Sequence, residues 1–252
     1  MTRKKMSKVI KKRKQDQSVI EILSDSEEDT NTKSISISIS DMKYLKPRRW
    51  LNDIVIDFVL HMYLDKYDMD TEVYISNSFF YSRLKQVEEA GEDCYHAIKT
   101  WIQYKDVFTK KLWLIPICEN HHWYLMAVVN PGKKKQYITI MDSLNKCTAS
   151  HTAPSLIKDF LRKKYFEETH TRIPPIKVLI RPIPVQENTF DCGLHLLRSA
   201  LLFLLCKTKT LDMLKGHLTD PSKLQEFWNK TPVPTRKHLK RDIIHYITSF
   251  KQ

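Results

Sequence analysis

Cys192 stands where the loop PVQENTFD runs into a long apolar stretch, CGLHLLRSALLFLLC. That change predicts a buried helix beginning at the cysteine, with Asp191 in the capping position. A thiol at a helix start meets free backbone N–H groups and the positive end of the dipole, which favour thiolate over thiol and make a nucleophile. Gly193 beside it lets backbone approach closely. Alone, a cysteine in such a setting is more often a small packed residue than a reactive one. Its company points to chemistry. His122 opens the run HWYLMAVV and Asp142 closes the run YITIMD, so neighbouring strands would bring imidazole and carboxylate to one sheet edge. Asp142 would then hold the ring and stabilise its charged form. His122 would take the thiol proton and later hand one to a leaving amine, while Cys192 attacks a carbonyl. Gln186, in the loop before the cysteine, can set its side-chain amide beside the Cys192 N–H to bind a tetrahedral oxyanion, a contribution of ~3 kcal/mol.

Two other histidines compete for a role. His121 adjoins His122, and on a strand neighbouring side chains point to opposite faces, so only one of the pair can aim at the thiol. His195 lies one helical turn beyond Cys192. No second ligand pair stands at metal spacing, so it reads as a packed or polar helix residue, and neither metal nor cofactor is expected.

These residues need a sheet and helices to hold them. LWLIPI (Leu112 to Ile117), WYLMAVV (Trp123 to Val129) and YITIM (Tyr137 to Met141) read as central strands of one sheet, with IKVLI (Ile176 to Ile180) a fourth run. WLNDIVIDFVLHMYL (Trp50 to Leu64) places Leu51, Ile54, Val55, Phe58, Val59 and Met62 at helical spacing, as one buried face. Ile35, Ile37 and Ile39 alternate with serines as a half-buried strand would, and Asp41 can cap a short helix after it. The class is therefore α+β, a mixed central sheet flanked by helices. Residues 34–252 form one catalytic domain. Residues 1–33 form a disordered tail, basic at first and acidic after.

Forty-two Lys and Arg against 29 Asp and Glu give a formal charge of +13, which favours an anionic partner without naming it. Five cysteines, an odd set with no CxxC pair, together with no apolar leader, indicate a reducing compartment and free thiols. The longest apolar run, Leu194 to Cys206, falls well short of the ~20 residues that span a bilayer. The KKRK cluster, Lys11 to Lys14, fits a nuclear-import signal, so a nuclear protein, with some cytoplasmic presence, is expected. No recognisable nucleic-acid fold accompanies the charge.

WLND, HHWYLMAVV, MDSL and PVQENTFDCGLHLL, in that order, make the chain from about Ser34 onward resemble the sentrin/SUMO-specific cysteine protease family. The resemblance implies a fold of the papain-like superfamily and a monomer that cleaves after the Gly-Gly end of a SUMO-type modifier, from precursors or from lysine isopeptide bonds. It selects His122 over His121, and implies His122, Asp142 and Cys192 as the triad with Gln186 as oxyanion donor. It further implies that Trp50 and Trp123, otherwise ordinary core aromatics, line a tunnel for two glycines. Asp53, otherwise a first-turn helix acid, resembles the family's acidic contact to an arginine on the modifier. ISNSFFYSRL (Ile75 to Leu84), with MDSL, resembles the branch that trims poly-SUMO chains, although that branch's long loop insertions are missing here. Within the same chemistry, a NEDD8 or ubiquitin protease is the alternative; outside it, a catalytically weak SUMO-binding module.

One tail segment fits this reading. Val19, Ile20, Ile22 and Leu23, followed by Asp25, Glu27, Glu28 and Asp29, resemble a SUMO-interaction motif. Such a motif adds a strand to a partner sheet: backbone bonds supply affinity, aliphatic side chains fill a groove, and acids meet a basic rim. Phosphates on Ser24 and Ser26 would add negative charge to it.

Overall fold

Leu112, Leu114, Leu125, Ala127 and Val129 alternate along their strands with Trp113, Ile115, Ile117, Tyr124, Met126 and Val128, and both sets are buried. A strand that buries alternate side chains on both faces needs a cover on each, and helices provide it. The computed structural model describes residues 19–22, 35–99, 107–147 and 151–249.

The strands β3 (Val73–Ile75), β4 (Leu112–Glu119), β5 (His122–Val129), β6 (Tyr137–Met141) and β7 (Lys177–Ile180) form one sheet in that order. The inner pairs are antiparallel and the outer pairs, β3 with β4 and β6 with β7, are parallel, so the sheet is mixed as expected. On one face, α1 (Asp53–Lys66), α5 (Cys192–Leu214) and α7 (Arg236–Ser249) pack against the Leu112, Leu125 and Val129 side. On the other, α2 (Phe79–Glu89), α3 (Cys94–Ile98) and α4 (Thr152–Thr169) cover Trp113, Tyr124 and Ile138. A further helix, α6 (Pro221–Lys230), contributes Phe227 to the first core. The four apolar runs read as strands are β4 to β7, and the run starting at Cys192 is α5.

Several local expectations need correcting. On α1, Ile56 and Leu60 are fully buried while Ile54 is 36% exposed. The helix is covered by the sheet on one side and by α5 and α7 on another, so burial exceeds the single stripe that periodicity indicates. Ile39 is 66% exposed because the strand β2 (Ile35–Ser38) ends before it and a 3-10 helix (Ile39–Leu45) begins. Ser38, not Asp41, is the capping residue there; its N–H and Oγ both donate to Asp41 Oδ2, at 2.8 and 2.6 Å. Within the segment read as a disordered tail, β1 (Val19–Ile22) is a strand that pairs antiparallel with β2, Ile20 opposite Ile37. Lys11 to Lys14, Leu23 and the acidic run lie outside the described residues.

Two features of this frame bear directly on the site. Glu119 pairs with His122 across a two-residue hairpin whose turn residues, Asn120 and His121, have φ of 51° and 60°. Asparagine tolerates that left-handed backbone, which suits the twist of a tight hairpin. At the start of α1, Asn52 caps the helix, its side chain accepting from the Val55 N–H at 3.2 Å. Asn52→Ala should therefore lower stability by about 1 kcal/mol in urea denaturation, with an unchanged m-value.

Candidate active site

The hairpin makes His122 the first residue of β5, and β6 ends just before Asp142. Because β5 and β6 are adjacent and antiparallel, these two ends lie together, and His122 Nε2 meets Asp142 Oδ1 at 2.5 Å. The carboxylate is held on every side. Its Oδ1 also accepts from the Leu144 N–H at 2.9 Å, and its Oδ2 from the N–H groups of Lys146 and Cys147 at 2.7 and 3.1 Å. Burial alone would push Asp142 up, but the His122 bond and these backbone donors outweigh it and hold the carboxyl far below the usual range.

Cys192 is the first residue of α5 and only 1% exposed. Its sulfur is electrostatically coupled to the His122 ring, although among the described hydrogen bonds none joins the two. With Nε2 engaged by Asp142, Nδ1 is the nitrogen left for the thiol. Burial opposes a charged imidazole here, yet the bond to Asp142 and the neighbouring Cys192 sulfur prevail and push His122 up to about 9. The structure thus brings together the three residues expected to act in concert.

The cap expected at Asp191 is not made. Asp191 precedes the helix, but its carboxylate turns to Arg236 Nη2 at 2.6 Å and Asn188 Nδ2 at 2.9 Å. Among the described hydrogen bonds, none takes the N–H of Cys192 or Gly193, since the Asp191 carbonyl accepts from Leu194 and His195 further on. Two backbone donors at the positive end of the helix are therefore without an acceptor among the described hydrogen bonds.

Gln186 is buried in the loop before Cys192. Its amide oxygen accepts from Ser143 Oγ at 2.6 Å, which fixes which way the amide faces, and its Nε2 donates to the Asn188 carbonyl. One of the two amide N–H bonds is thus committed within the loop, leaving the second for a ligand. Its backbone N–H donates to the Ser143 carbonyl at 3.0 Å, tying the loop to the strand end that carries Asp142.

The two tryptophans differ in exposure and in anchor. Trp50 is 50% exposed; its indole N–H donates to the Thr189 carbonyl at 2.9 Å, and its ring stacks on His121 at 5.7 Å. Trp123 is buried and donates to the Leu51 carbonyl at 2.9 Å. Between them Leu51 packs on Gly193 so tightly that a Cβ there would come within 3.0 Å of the Leu51 Cβ. Gly193 is thus required by a side chain rather than by backbone. Asp53 opens α1 two residues later, half-buried. Burial, with the charges of Cys192 and Asp53, pushes the nearby Cys118 thiol up to about 11.

His121 is excluded for a reason other than strand alternation. It sits in the turn, exposed, with its ring against Trp50. His195 is half-buried on α5, and burial pushes its imidazole down.

Sequence reasoning missed a supporting layer. Tyr124, two residues beyond His122 on the same strand face, stacks on its ring at 6.1 Å and donates its hydroxyl to Glu119 at 2.9 Å. Glu119 also receives Lys85 Nζ at 2.5 Å and lies 3.3 Å from His151 Nε2. Period-two spacing from His122 marks Tyr124, whereas Lys85 and His151 come from distant helices and leave no local signal.

A model of the Ulp1 protease family, C-terminal catalytic domain, matches residues 49–243. The chain belongs to that family. It is 26% identical, over 252 aligned residues, to ubiquitin-like-specific protease 2 of Schizosaccharomyces pombe, covering 82% of this chain and 39% of the relative. A probable ubiquitin-like-specific protease 2A of Arabidopsis thaliana is 27% identical over 68% of this chain and 25% of its own length. The chain thus spans well under half the length of these relatives. Among solved structures, a de-sumoylating protease superposes with a TM-score of 0.74 at 26% identity, covering 88% of this chain and 92% of that one. The fold is the family's papain-like α+β arrangement.

Linkage fixes the sign of the pH response. A histidine raised from 6.5 to about 9 contributes stability that is complete below pH 6.5 and lost as pH rises through about 9. In Asp142→Asn the neutral amide no longer supports the imidazolium while burial still opposes it, so ring titration followed by 15N NMR should move down from about 9 toward or below 6.5. Turnover should fall by on the order of a hundredfold or more.

Proposed function

We propose that this chain is a thiol protease that hydrolyses the bond after the C-terminal Gly-Gly of a SUMO-type modifier. Both isopeptide deconjugation and precursor processing use that bond. One observation carries the reading: a thiol only 1% exposed is coupled to an imidazole that is ion-paired with a buried carboxylate. A thiol so enclosed admits a thin chain without side chains, as two glycines would be, and rejects bulkier peptides.

The roles follow from the geometry. The proton shared by the pair sits on His122 Nδ1, and the Cys192 thiolate it leaves attacks the glycine carbonyl carbon. The oxyanion that forms meets the N–H groups of Cys192 and Gly193 and the remaining amide N–H of Gln186, about 3 kcal/mol for one such donor. As the tetrahedral centre collapses, His122 passes its proton to the departing amine, leaving a thioester on Cys192. Water, deprotonated by the same imidazole, then attacks the thioester and releases the glycine carboxylate and the thiol. Trp50 covers the approach from its anchor on the nucleophile loop, Trp123 supports it from below, and Asp53 stands at the mouth for a cationic residue on the modifier.

Support for the modifier comes from the likeness to ubiquitin-like-specific proteases and from a structural relative solved as a de-sumoylating protease. A second solved relative, the Ulp1 protease domain, is in complex with Smt3, the yeast ortholog of SUMO; at 24% identity and a TM-score of 0.56 it speaks for the fold. The candidate interaction motif adds a tether. Its core, Val19–Ile22, is already a strand on β2, so it is held in the extended form a partner sheet would accept.

SUMO, NEDD8 and ubiquitin carrying a thiol-reactive group at the C-terminus test the assignment. Only the SUMO probe should form an adduct, and Cys192→Ala should form none. Labelling by NEDD8 or ubiquitin in place of SUMO would refute the substrate; no labelling at all would refute the protease. Deleting residues 19–29 should slow cleavage of poly-SUMO chains several-fold more than that of a single SUMO fusion, through lost effective concentration. Equal slowing of both in a gel-based time course would count against the tether.

A further inference from the structure

Segments far apart in sequence converge on one guanidinium. Arg236, the first residue of α7, donates through Nη2 to Asp191 Oδ1 at 2.6 Å and the Phe190 carbonyl at 3.1 Å. Through Nη1 it reaches the carbonyls of Tyr44 and Lys46 at 3.0 and 3.3 Å. Its charge also lies 5.9 Å from the Phe190 ring. The side chain is 11% exposed and that of Asp191 is 24% exposed, so water screens this pair only in part.

The partners matter more than their number. Phe190 and Asp191 immediately precede Cys192, and Tyr44 and Lys46 end the 3-10 helix that leads into Trp50. A carboxylate next to the thiol would, left unpaired, oppose the negative charge the sulfur must carry in attack. Paired with Arg236 it does not. The same pairing draws the carboxylate away from the start of α5, which leaves the N–H groups of Cys192 and Gly193 free of a side-chain cap.

We propose that Arg236 is a positioning residue for the hydrolysis, locking the Phe190–Asp191 approach to Cys192 onto the Tyr44–Lys46 stretch that leads to Trp50. It sets the thiol and the tryptophan cover in one frame from the far end of the chain. A planar fork is needed for this task, because it spans two pairs of acceptors at once; a lysine ammonium cannot.

The inference rests on Cys192 as nucleophile, so wild type and Cys192→Ala are measured beside the variants. Arg236→Gln and Arg236→Lys are assayed on a SUMO C-terminal aminomethylcoumarin substrate, with iodoacetamide capture of Cys192 as a substrate-free readout and far-UV circular dichroism for the folded fraction. Arg236→Gln should lower kcat roughly 10- to 100-fold with KM within about threefold, slow alkylation per folded molecule, and be only partly rescued by Arg236→Lys. The proposal is overturned if Arg236→Gln keeps kcat within about twofold, or if the lost activity equals the lost folded fraction with alkylation unchanged. An inactive wild type takes down the nucleophile reading and this inference together; an active wild type with an indifferent Arg236→Gln takes down this one alone.

Discussion

An imidazolium kept under a protein surface needs a counter-charge that cannot turn away, and the four hydrogen bonds on Asp142 supply that constraint. His122 takes one, and the backbone of the turn after β6 takes the other three. The carboxylate is therefore tied at both of its oxygens. Everything else in the site is placed relative to that fixed point. The antiparallel register of β5 and β6 brings the histidine to it, the tight hairpin ends β4 and starts β5 at the right residue, and the Ser143 contacts extend the same turn to the oxyanion loop.

The second fixed point is the close contact between Leu51 and Gly193. It presses the start of α1 against the start of α5, so the tryptophan cover and the nucleophile share one boundary. The sheet supplies the base and its carboxylate; two helices supply the thiol and the roof. Neither half makes a site alone, which is why the residues involved are spread from Trp50 to Arg236.

Legibility followed the range of the interaction. Local patterns were readable: the four strands, the helix from Cys192, and the placement of His122 and Asp142 at strand ends all rest on periodicity within a few residues. The meeting of His122 and Asp142 needed only adjacency of two strands, while joining Cys192 to them as a triad rested on the family resemblance. What sequence could not reveal was competition for a side chain. Asp191 has the type and position of a helix cap, yet a guanidinium from α7 takes its carboxylate. His121 has the position of a strand residue, yet the turn claims it and Trp50 covers it. Ile54 and Ile39 fit apolar patterns and still face outward, because the neighbours that decide burial come from elsewhere in the chain. The aliphatic run at Val19–Ile22 was readable as a stretch able to form a strand, while its pairing with β2 depends on a register no composition reveals.

The strap from α7 also has a meaning in time. During synthesis the thiol, the imidazole and the carboxylate all emerge before Arg236, and Leu239, Ile243 and Ile247 that seat its helix in the core emerge later still. A nascent chain halted short of this helix would carry every reacting group and still lack the contacts that align them. On the proposed reading, the site is complete only once α7 has been made and seated.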